Sequence, residues 1–480
     1  MLKLIKNEYA KIFHKKTTYI VLILCILLGL GISALIQLDN SYMYDYDYDY
    51  DSSIEEEKSW YINSDYIYDK LNLYSLNLYE NMGYKYRSEI PGWVEMAVDS
   101  YTSSHYAYIL ISQSEDIQES EADMDMHLSD TDIEYEKEIS QRMEKAILGL
   151  DYSAYFDLCV EYYEHQTAKN LVCDKSNYEL AKSIKKYNIN PEKDETLLSS
   201  LHSYVSAKMA YDELMEEKNR GVHIPEEQFQ KTAKTYLTYK YIFDNHIENY
   251  MMINEDYGGA YSQNKFIMAL SSDTVMAGLA GIFIIIIAAG IFANEYSNGT
   301  IKFLLINPVK RAKIFWSKYL SCITLFAGAL VIFYIIYFLF AMIICGTDGI
   351  DGVFLSYADG VVNEQHIILY SLKQYGLTAV SLITSITLAF TISAFIRSTA
   401  LAIAISLVIE FAGSTISMFL YQLGHDWGRY LIFSNTDLAS FSNGMGMFPG
   451  QTLTFALVTI AVYMVVFMLT AYDGFTRKEI

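Results

Sequence analysis

The 480-residue chain carries 57 acidic and 35 basic residues, and 52% of its residues are apolar. Its formal net charge of −22 argues against nucleic-acid binding, and its long apolar segments argue against a soluble protein. The charge is uneven, because residues 41–265 hold 44 acidic and 20 basic residues while the remainder is slightly basic. The excess of acidic over basic residues is therefore confined to this one segment.

Six apolar segments are each long enough to cross a bilayer as a helix, which takes about 20 residues. Inside hydrocarbon the backbone must satisfy its own hydrogen bonds, so uninterrupted runs such as 274–293 predict helices. The first segment is too long for a cleaved signal peptide and no cleavage motif follows it. We predict an all-α membrane protein with six transmembrane helices, at 18–38, 270–293, 316–345, 373–396, 399–421 and 451–472.

Basic residues near the ends of these segments predict the orientation. With six spans most of them fall on one side, which the positive-inside rule makes cytoplasmic, together with both termini. Lys373 and Arg429 are exceptions, at or near the outer face. Residues 39–265 and the loops 346–372 and 422–450 are then extracellular. The basic positions are Lys3, Lys6, Lys11, Lys15, Lys16, the loop 294–315, Arg397, Arg477 and Lys478.

Residues 39–265 are predicted to form an acidic, mostly helical extracellular domain inserted between the first and second spans. Apolar residues recur there at spacings of three and four, which is typical of amphipathic helices. One such face holds Leu198, Leu201, Val205 and Met209, and another holds Ile133, Ile139, Met143 and Ile147.

An alternating acidic stretch, YDYDYDYDSSIEEE, opens this domain at residues 44–57. Five carboxylates have the spacing of positions 1, 3, 5, 7 and 12 of a calcium-binding loop. The sixth position of such a loop is glycine and is Tyr50 here, so a solvated acidic linker is favoured over a calcium site. The five calcium candidates are Asp45, Asp47, Asp49, Asp51 and Glu56.

Two cysteines, Cys159 and Cys173, lie in the same predicted domain, where oxidising conditions permit a disulfide. Sequence spacing alone does not show whether two cysteines meet, so a bridge and two free thiols are both compatible with it. The scattered histidines lack metal-ligand spacing, and no metal site is expected among them.

A basic segment broken by proline, NEYSNGTIKFLLINPVKRAKIF at residues 294–315, separates the second and third spans. It is predicted to contain a helix exit, a glycine break and a short amphipathic helix ended by Pro308. A helix of this kind lies flat at the membrane surface and offers its apolar face to lipid or to a partner protein. The sequence contains no Gly-x-x-x-x-Gly-Lys-Ser/Thr phosphate loop, so we expect no ATP hydrolysis by this chain.

Three stretches resemble one known family, the six-span permeases of ABC (ATP-binding-cassette) exporters. Glu295, Gly299-Thr300 and NPVKRAKIFWSKYL (307–320) resemble that family's cytoplasmic coupling loop. KLIKNEYAKIFHKKTTYIVLI (3–23) resembles its amphipathic interface helix, here residues 1–17, running into the first span, and FTRKEI (475–480) resembles its ending. The resemblance covers residues 1–38 and 266–480 and leaves the inserted segment outside.

The resemblance implies a transporter subunit that is not itself an enzyme and binds no cofactor. Its loop would dock on a separate ATPase subunit that holds ATP and magnesium, in a bacterial plasma membrane, and the permease would pair with a second copy or a related permease. Gly299 would permit a sharp helix exit, while Glu295 either pairs with a basic residue or lies at the interface as a cap. The implied coupling residues are Glu295, Gly299, Thr300, Pro308, Arg311 and Lys313.

Glu410 is a charged residue near the middle of the fifth span. Such residues usually face a bundle interior or cavity. Glu410 could lie in the translocation path or the dimer seam. Alternatively, its carboxyl group is protonated and forms a hydrogen bond to a neighbouring helix. The segment 422–450 is either re-entrant, as in the family, or an interfacial belt around Trp427 and Tyr430. Asp273 is expected to be an ordinary interfacial residue.

The favoured function is ATP-driven export, of antimicrobial peptides or other amphipathic toxic compounds. A surface of one sign concentrates ligands of opposite charge, although a purely solubilising role explains the acidity equally well. A sodium-exporting permease is an alternative within the same class. Two other classes are a membrane-anchored sensor or adhesin, for which six spans are unnecessary, and a membrane-embedded enzyme using Glu410, for which no second catalytic group is evident.

Overall fold

The computed structural model describes residues 1–44, 53–64, 66–107, 109, 133–169, 175–254, 259–262, 264–301, 309–358 and 360–476. The chain divides into two compact units. The membrane unit comprises Met1–Asn40, Asn249–Ser356 and Glu364–Ile480. The inserted unit comprises Ser41–Glu248 and Tyr357–Asn363.

Helices dominate both units, with four short strands. In chain order the elements are α1 (Leu2–Phe13), α2 (Lys16–Tyr44), α3 (Ile54–Tyr61), α4 (Ile67–Asn81), α5 (Gly92–Tyr101, continued by a π-helical turn Thr102–Tyr106), α6 (Ile133–Leu148), α7 (Tyr152–Ala168), α8 (Ser176–Tyr187), α9 (Glu195–Asn219), α10 (Glu226–Asp244), β1 (Tyr250–Asn254), β2 (Gly259–Tyr261), α11 (Lys265–Ser271), α12 (Asp273–Ser297), α13 (Arg311–Cys345), β3 (Val353–Ala358), β4 (Val361–His366), α14 (Ile367–Phe395), α15 (Thr399–Gln422), α16 (Leu438–Ser442) and α17 (Leu453–Thr476). Short 3-10 turns lie at Arg87–Glu89, Asp426–Tyr430 and Phe433–Asn435.

Six helical segments of the described chain are long and apolar enough to span a membrane: α2, α11 with α12, α13, α14, α15 and α17. They match the six predicted spans in number and order. The protein is therefore a multi-pass membrane protein, and the prediction of six spanning helices is confirmed at the level of length and composition. The segment 422–450 forms 3-10 turns and the five-residue helix α16.

The centre of the membrane unit is the pair α12 and α14. Both have 67% of their most apolar stretch buried, whereas α2, α15 and α17 have 17% or less. Close approach of the central pair depends on Gly281, because a Cβ atom there would lie 2.6 Å from the side chain of Leu382. The outer helices present exposed residues such as Leu27, Val408 and Val462, as lipid contact requires.

A small sheet accompanies the helices and was not predicted. Its strand order is β2-β1-β3-β4. β1 pairs antiparallel with β2 and parallel with β3, with Met251 opposite Phe354. β1 runs directly into the segment that leads to α11 and α12, so the sheet lies at the end of the bundle where α12 begins.

The inserted unit is helical throughout α3–α10, as predicted for its described residues. Ile139, Met143 and Ile147 of α6 are buried, and so are Leu198, Leu201 and Val205 of α9. These two predicted apolar faces pack in one core around large aromatic side chains such as Trp93. The unit therefore has a hydrophobic core of its own.

A buried ion pair lies in the inserted unit. Arg87 Nε donates to Glu57 Oε2 at 2.8 Å, and the two side chains are 4% and 0% exposed. We expect Arg87→Met to lower the free energy of unfolding of this unit by about 3–5 kcal/mol, because it leaves a buried carboxylate without its guanidinium. Hydrogen exchange of the full chain measures this loss.

The matched control is Arg142→Met, which removes an arginine whose bidentate partner Glu161 lies at the surface. Both side chains are 44% exposed, so the expected change is about 0–1 kcal/mol. If the two substitutions lowered the free energy of unfolding equally, the Arg87–Glu57 pair would not contribute more to stability than the Arg142–Glu161 pair.

Candidate functional site

The short amino-terminal helix α1 is held against the membrane unit by one face. Glu8 and Ile12 are buried, whereas Lys3, Lys6, Lys15 and Lys16 are exposed at or near its ends. The turn into α2 is fixed by Thr18, whose hydroxyl donates to the Ile12 carbonyl at 2.7 Å. A second contact joins Tyr9 to Thr324 of α13 at 2.5 Å. The predicted interface helix is therefore present as a separate helix before the first span.

Lys318 of α13 is the most deeply buried charge near α1, with 0% exposure. Its Nζ donates to Glu8 Oε2 at 2.8 Å, to Glu295 Oε1 at 3.3 Å and to the Ile291 carbonyl at 3.3 Å. The ring of Phe292 lies 5.7 Å from the same nitrogen. A buried ammonium group needs such partners, because removing it from water costs several kcal/mol. Lys318 thus joins α1, α12 and α13.

Glu295, in the last turn of α12, is the second centre of this arrangement. Its Oε1 accepts from Lys11 at 2.7 Å and from Lys318, and its Oε2 accepts from the Thr300 hydroxyl. Of the two alternatives for Glu295, pairing with basic residues is the one observed. We call Glu8, Lys11, Glu295, Thr300 and Lys318 the Lys318 cluster.

Lys11 is the solvent-facing member of the Lys318 cluster. Burial alone would lower its pKa, but the hydrogen bond to Glu295 and the nearby charge of Glu8 raise the pKa of Lys11 above its ordinary value. Lys11 therefore stays charged throughout the physiological range. The cluster holds two carboxylates and two ammonium groups, so its charges balance.

Gly299 lets the chain leave α12 and turn back onto Glu295. Its φ is +70°, the left-handed region that glycine adopts without strain. The next residue, Thr300, then reaches the Glu295 carboxylate. The sharp helix exit predicted at Gly299 is thus observed.

We expect Gly299→Ala to weaken the bundle by about 1 kcal/mol, because alanine is strained at this backbone conformation although space is open around it. Gly278→Ala is the matched control, within α12, since space is also open around Gly278 and its φ is helical. Thermal unfolding of the purified chain measures both. A control change as large as the Gly299 change would contradict this explanation.

The other predicted coupling residues lie around the cluster rather than in it. Arg311 begins α13 and donates from a terminal guanidinium nitrogen to the Thr476 carbonyl at 2.9 Å, which ties α13 to the end of α17. Lys313 is exposed. Pro308 and the short amphipathic helix predicted before it fall at residues 302–308, outside the described residues.

The remaining predicted site residues are separate from the Lys318 cluster. Glu410 of α15 is partly buried and interacts with Ser385 of α14. Cys159 is a free, buried thiol whose pKa burial raises to about 12, and Cys173 lies outside the described residues. Glu56 is exposed in α3, and the four calcium-candidate aspartates fall at residues 45–51, also outside them. The described residues contain no cluster of metal-ligating side chains.

Asp273, expected to be an ordinary interfacial residue, is buried within the membrane unit. It is 1% exposed, and its Oδ2 accepts from the Ser371 hydroxyl at 2.5 Å. Sequence analysis also overlooked Lys318 and Glu8. Lys318 is a lysine followed by a long apolar run, and Glu8 is an acid within a basic stretch, so both positions were unusual for their surroundings.

These features define a multi-pass membrane protein, and one of the similar proteins found by comparison is also described as a membrane protein. Residues 235–480 match the family model "Protein of unknown function (DUF2705)", and the chain belongs to this family. A relative from Bacillus subtilis (strain 168), "Uncharacterized protein YhcI", is 38% identical over 204 residues, which is 42% of this chain and 65% of the relative. The chain thus covers slightly less than two thirds of that protein.

A second relative from the same organism, "Uncharacterized membrane protein YdbK", is 26% identical over 222 residues. The match covers 46% of this chain and 86% of the relative. No solved structure gives a significant match.

Proposed function

We propose that this chain is the membrane-spanning subunit of an ABC exporter, coupled to ATP hydrolysis by a separate subunit. The observation that carries the proposal is the Lys318 cluster, which joins α1, the exit of α12 and the start of α13. These places lie in two of the three stretches that resemble the permease family, the amino-terminal stretch 3–23 and the predicted coupling loop with residues 307–320. The cluster thus unites motifs that are separated by nearly 300 residues in the chain.

The position of the cluster suits transmission of movement. The segment 302–308 begins two residues after Thr300 and precedes α13, so a partner bound there would push on the ends of two spans. Charge-assisted hydrogen bonds at Glu295 and Lys318 would carry that push to α1 as one body. Coupling needs such a stiff connection, since a partner changes the bundle only through differential binding to its states.

The charges at this end of the bundle support a cytoplasmic location. Exposed lysines flank α1, and Lys310, Arg311 and Lys313 open α13. Retention of short basic loops in the cytoplasm would place both termini inside and the inserted unit outside. The same basic residues attract anionic lipids or an acidic partner surface.

For the transported compound we propose cationic, amphipathic molecules such as antimicrobial peptides. The acidic segment 41–265 would raise their local concentration at the outer face. Cells expressing the intact transporter should tolerate such peptides better than cells lacking it, and added salt should reduce the difference. Equal sensitivity to peptides, with a difference in sodium tolerance instead, would favour the sodium exporter.

The coupling role is tested by co-expressing the chain with a candidate ATP-binding-cassette subunit of the same genome and reconstituting both in vesicles. The proposal predicts that the ATPase rate of the complex differs from that of the isolated ATPase subunit. It also predicts that Gly299→Pro, which cannot adopt the observed φ, abolishes this difference. An identical ATPase rate with and without the membrane chain would overturn the proposal.

A further inference from the structure

We infer that the membrane unit holds a binding site for an alkylammonium group in a cavity beside Asp273. This cavity has a volume of about 420 Å³ and lies between the start of α12, the start of α14 and α16. Asp273 begins α12 and Glu295 lies in its last turn, so the cavity and the Lys318 cluster are at opposite ends of one span. The inference does not depend on the coupling role.

The first observation is the chemistry of Asp273 itself. Its carboxylate accepts from Ser371 and from the backbone of Thr274. No basic side chain among the described residues pairs with it, although it is 1% exposed. A carboxylate has about four acceptor positions, so two hydrogen bonds leave room for a further donor. Burying a charge without a counter-ion is costly, and a bound cation would remove that cost.

The second observation is the rest of the cavity wall. Polar groups converge there from three elements, including Gln374 of α14, Asn443 after α16 and Asp437 before it. Neither lysine nor arginine occurs among the described lining residues, and the acidic side chains there are Asp273 and Asp437. Gln374 and Asn443 are themselves joined at 3.2 Å, which fixes the segment 436–443 against α14. The site is therefore built from ordered groups rather than from one helix end.

The third observation is an aromatic side chain in the cavity wall. Tyr370 lines the cavity one residue before Ser371, and its ring stacks on Phe354 of β3 with centroids 3.7 Å apart. Its hydroxyl accepts from Asn443 Nδ2 at 3.1 Å. An aromatic ring next to a carboxylate suits an organic ammonium group, because cation–π attraction adds to the ion pair.

The size of the cavity also favours an organic ligand. Volumes of this order hold small molecules, whereas a sodium ion would need only a few oxygen ligands at close range. The shared chemistry is an alkylammonium group, which both a free amine and a lysine side chain carry. We expect Asp273 to bind the ammonium, Tyr370 to contact its alkyl portion, and the amides of Gln374 and Asn443 to bind polar groups on the ligand.

The test is calorimetric titration of the full-length chain in lipid nanodiscs with putrescine, with a lysine-containing tripeptide and with sodium chloride. We expect saturable binding of putrescine, of the tripeptide, or of both. Comparing the two ligands shows whether the site takes a free amine or the lysine side chain of a peptide. Asp273→Asn should weaken that binding by about tenfold or more. Tyr370→Leu should weaken it as well, whereas Tyr370→Phe keeps the ring and should largely retain it.

The matched control is Asp348→Asn, which neutralises an exposed carboxyl group of the membrane unit that does not line the cavity, and binding should change less than about twofold. Wild-type protein gives a measurement that does not depend on the folding of a variant, since putrescine or the tripeptide should slow hydrogen exchange at the start of α12. The inference is overturned if neither ammonium ligand binds, if sodium alone binds, or if Asp273→Asn and Asp348→Asn have equal effects.

Discussion

Replacing Lys318 with methionine is expected to detach α1 from the bundle and to lower the free energy of unfolding by about 3 kcal/mol or more. The substitution keeps the length of the side chain but leaves Glu8 and Glu295 facing each other without the ammonium group between them. Lys11 compensates in part, because it also contacts both carboxylates. Hydrogen exchange should show faster exchange across Leu2–Phe13 than in the wild-type chain.

Lys313→Met is the matched control for this experiment. Lys313 lies on the same helix and is exposed, so its loss removes a positive charge without breaking a buried pair. Exposed charges of this kind contribute about 0–1 kcal/mol. If Lys318→Met left the exchange of α1 unchanged, or if Lys313→Met accelerated it equally, the Lys318 cluster would not be what holds α1.

Reversing the charge at Glu295 is expected to uncouple the chain from its ATPase. Glu295→Lys would place a third ammonium group beside Lys11 and Lys318 and would remove the acceptor of the Thr300 hydroxyl. We expect the stimulated ATPase rate of the reconstituted complex to fall by about tenfold or more, since a misplaced coupling element commonly costs this much. Glu364→Lys, at an exposed position on β4, should leave the rate unchanged.

A variant with all four charges of the Lys318 cluster reversed separates loss of pairing from general damage. Adding Glu8→Lys, Lys11→Glu and Lys318→Glu to Glu295→Lys restores opposite charges at every ion pair of the cluster and should recover part of the stimulated rate. If the fourfold variant were no better than Glu295→Lys alone, although both fold fully, the ion pairs would not transmit movement.

The spans were predictable because their signal is local. The fifth segment, expected at 399–421, is observed as Thr399–Gln422, where Ser398 caps the first turn. The third and fourth begin five and six residues earlier than expected, at Arg311 and Ile367. In α13 the additional residues include the charged Arg311 and Lys313, whereas in α14 they are mostly apolar and precede Lys373, at which the predicted span began. Hydropathy marks the membrane-crossing part of a helix and not its ends.

The Lys318 cluster was predictable only in part. Glu295 was singled out, and its need for a basic partner follows from burial of a charge near a helix end. Which base would meet it depends on how α1 and α13 pack, and packing is not a local property of the sequence. Lys318 and Glu8 are more than 300 residues apart in the chain, and neither carries a local signal for the other.

The burial of Asp273 likewise could not be predicted, because it depends on how distant segments pack. An aspartate at the end of an apolar run is normally interfacial, and only the approach of α14 and the segment 436–443 buries it. The small sheet had one local signal, the dipeptide Asp359-Gly360 between β3 and β4, which favours a hairpin turn. The parallel pairing of β1 with β3, about 100 residues away, had no such signal.

The central claim is that the α1 end of this chain binds a separate ATPase subunit, and co-purification tests it most directly. The chain, tagged and extracted in a mild detergent, would be analysed by native mass spectrometry after co-expression with each ATP-binding-cassette subunit of the same genome. We predict a complex with two copies of the ATPase subunit and two membrane subunits, and dissociation of the ATPase from the Glu295→Lys variant. A membrane chain that purifies without the ATPase subunit, although both are well expressed, would contradict the account.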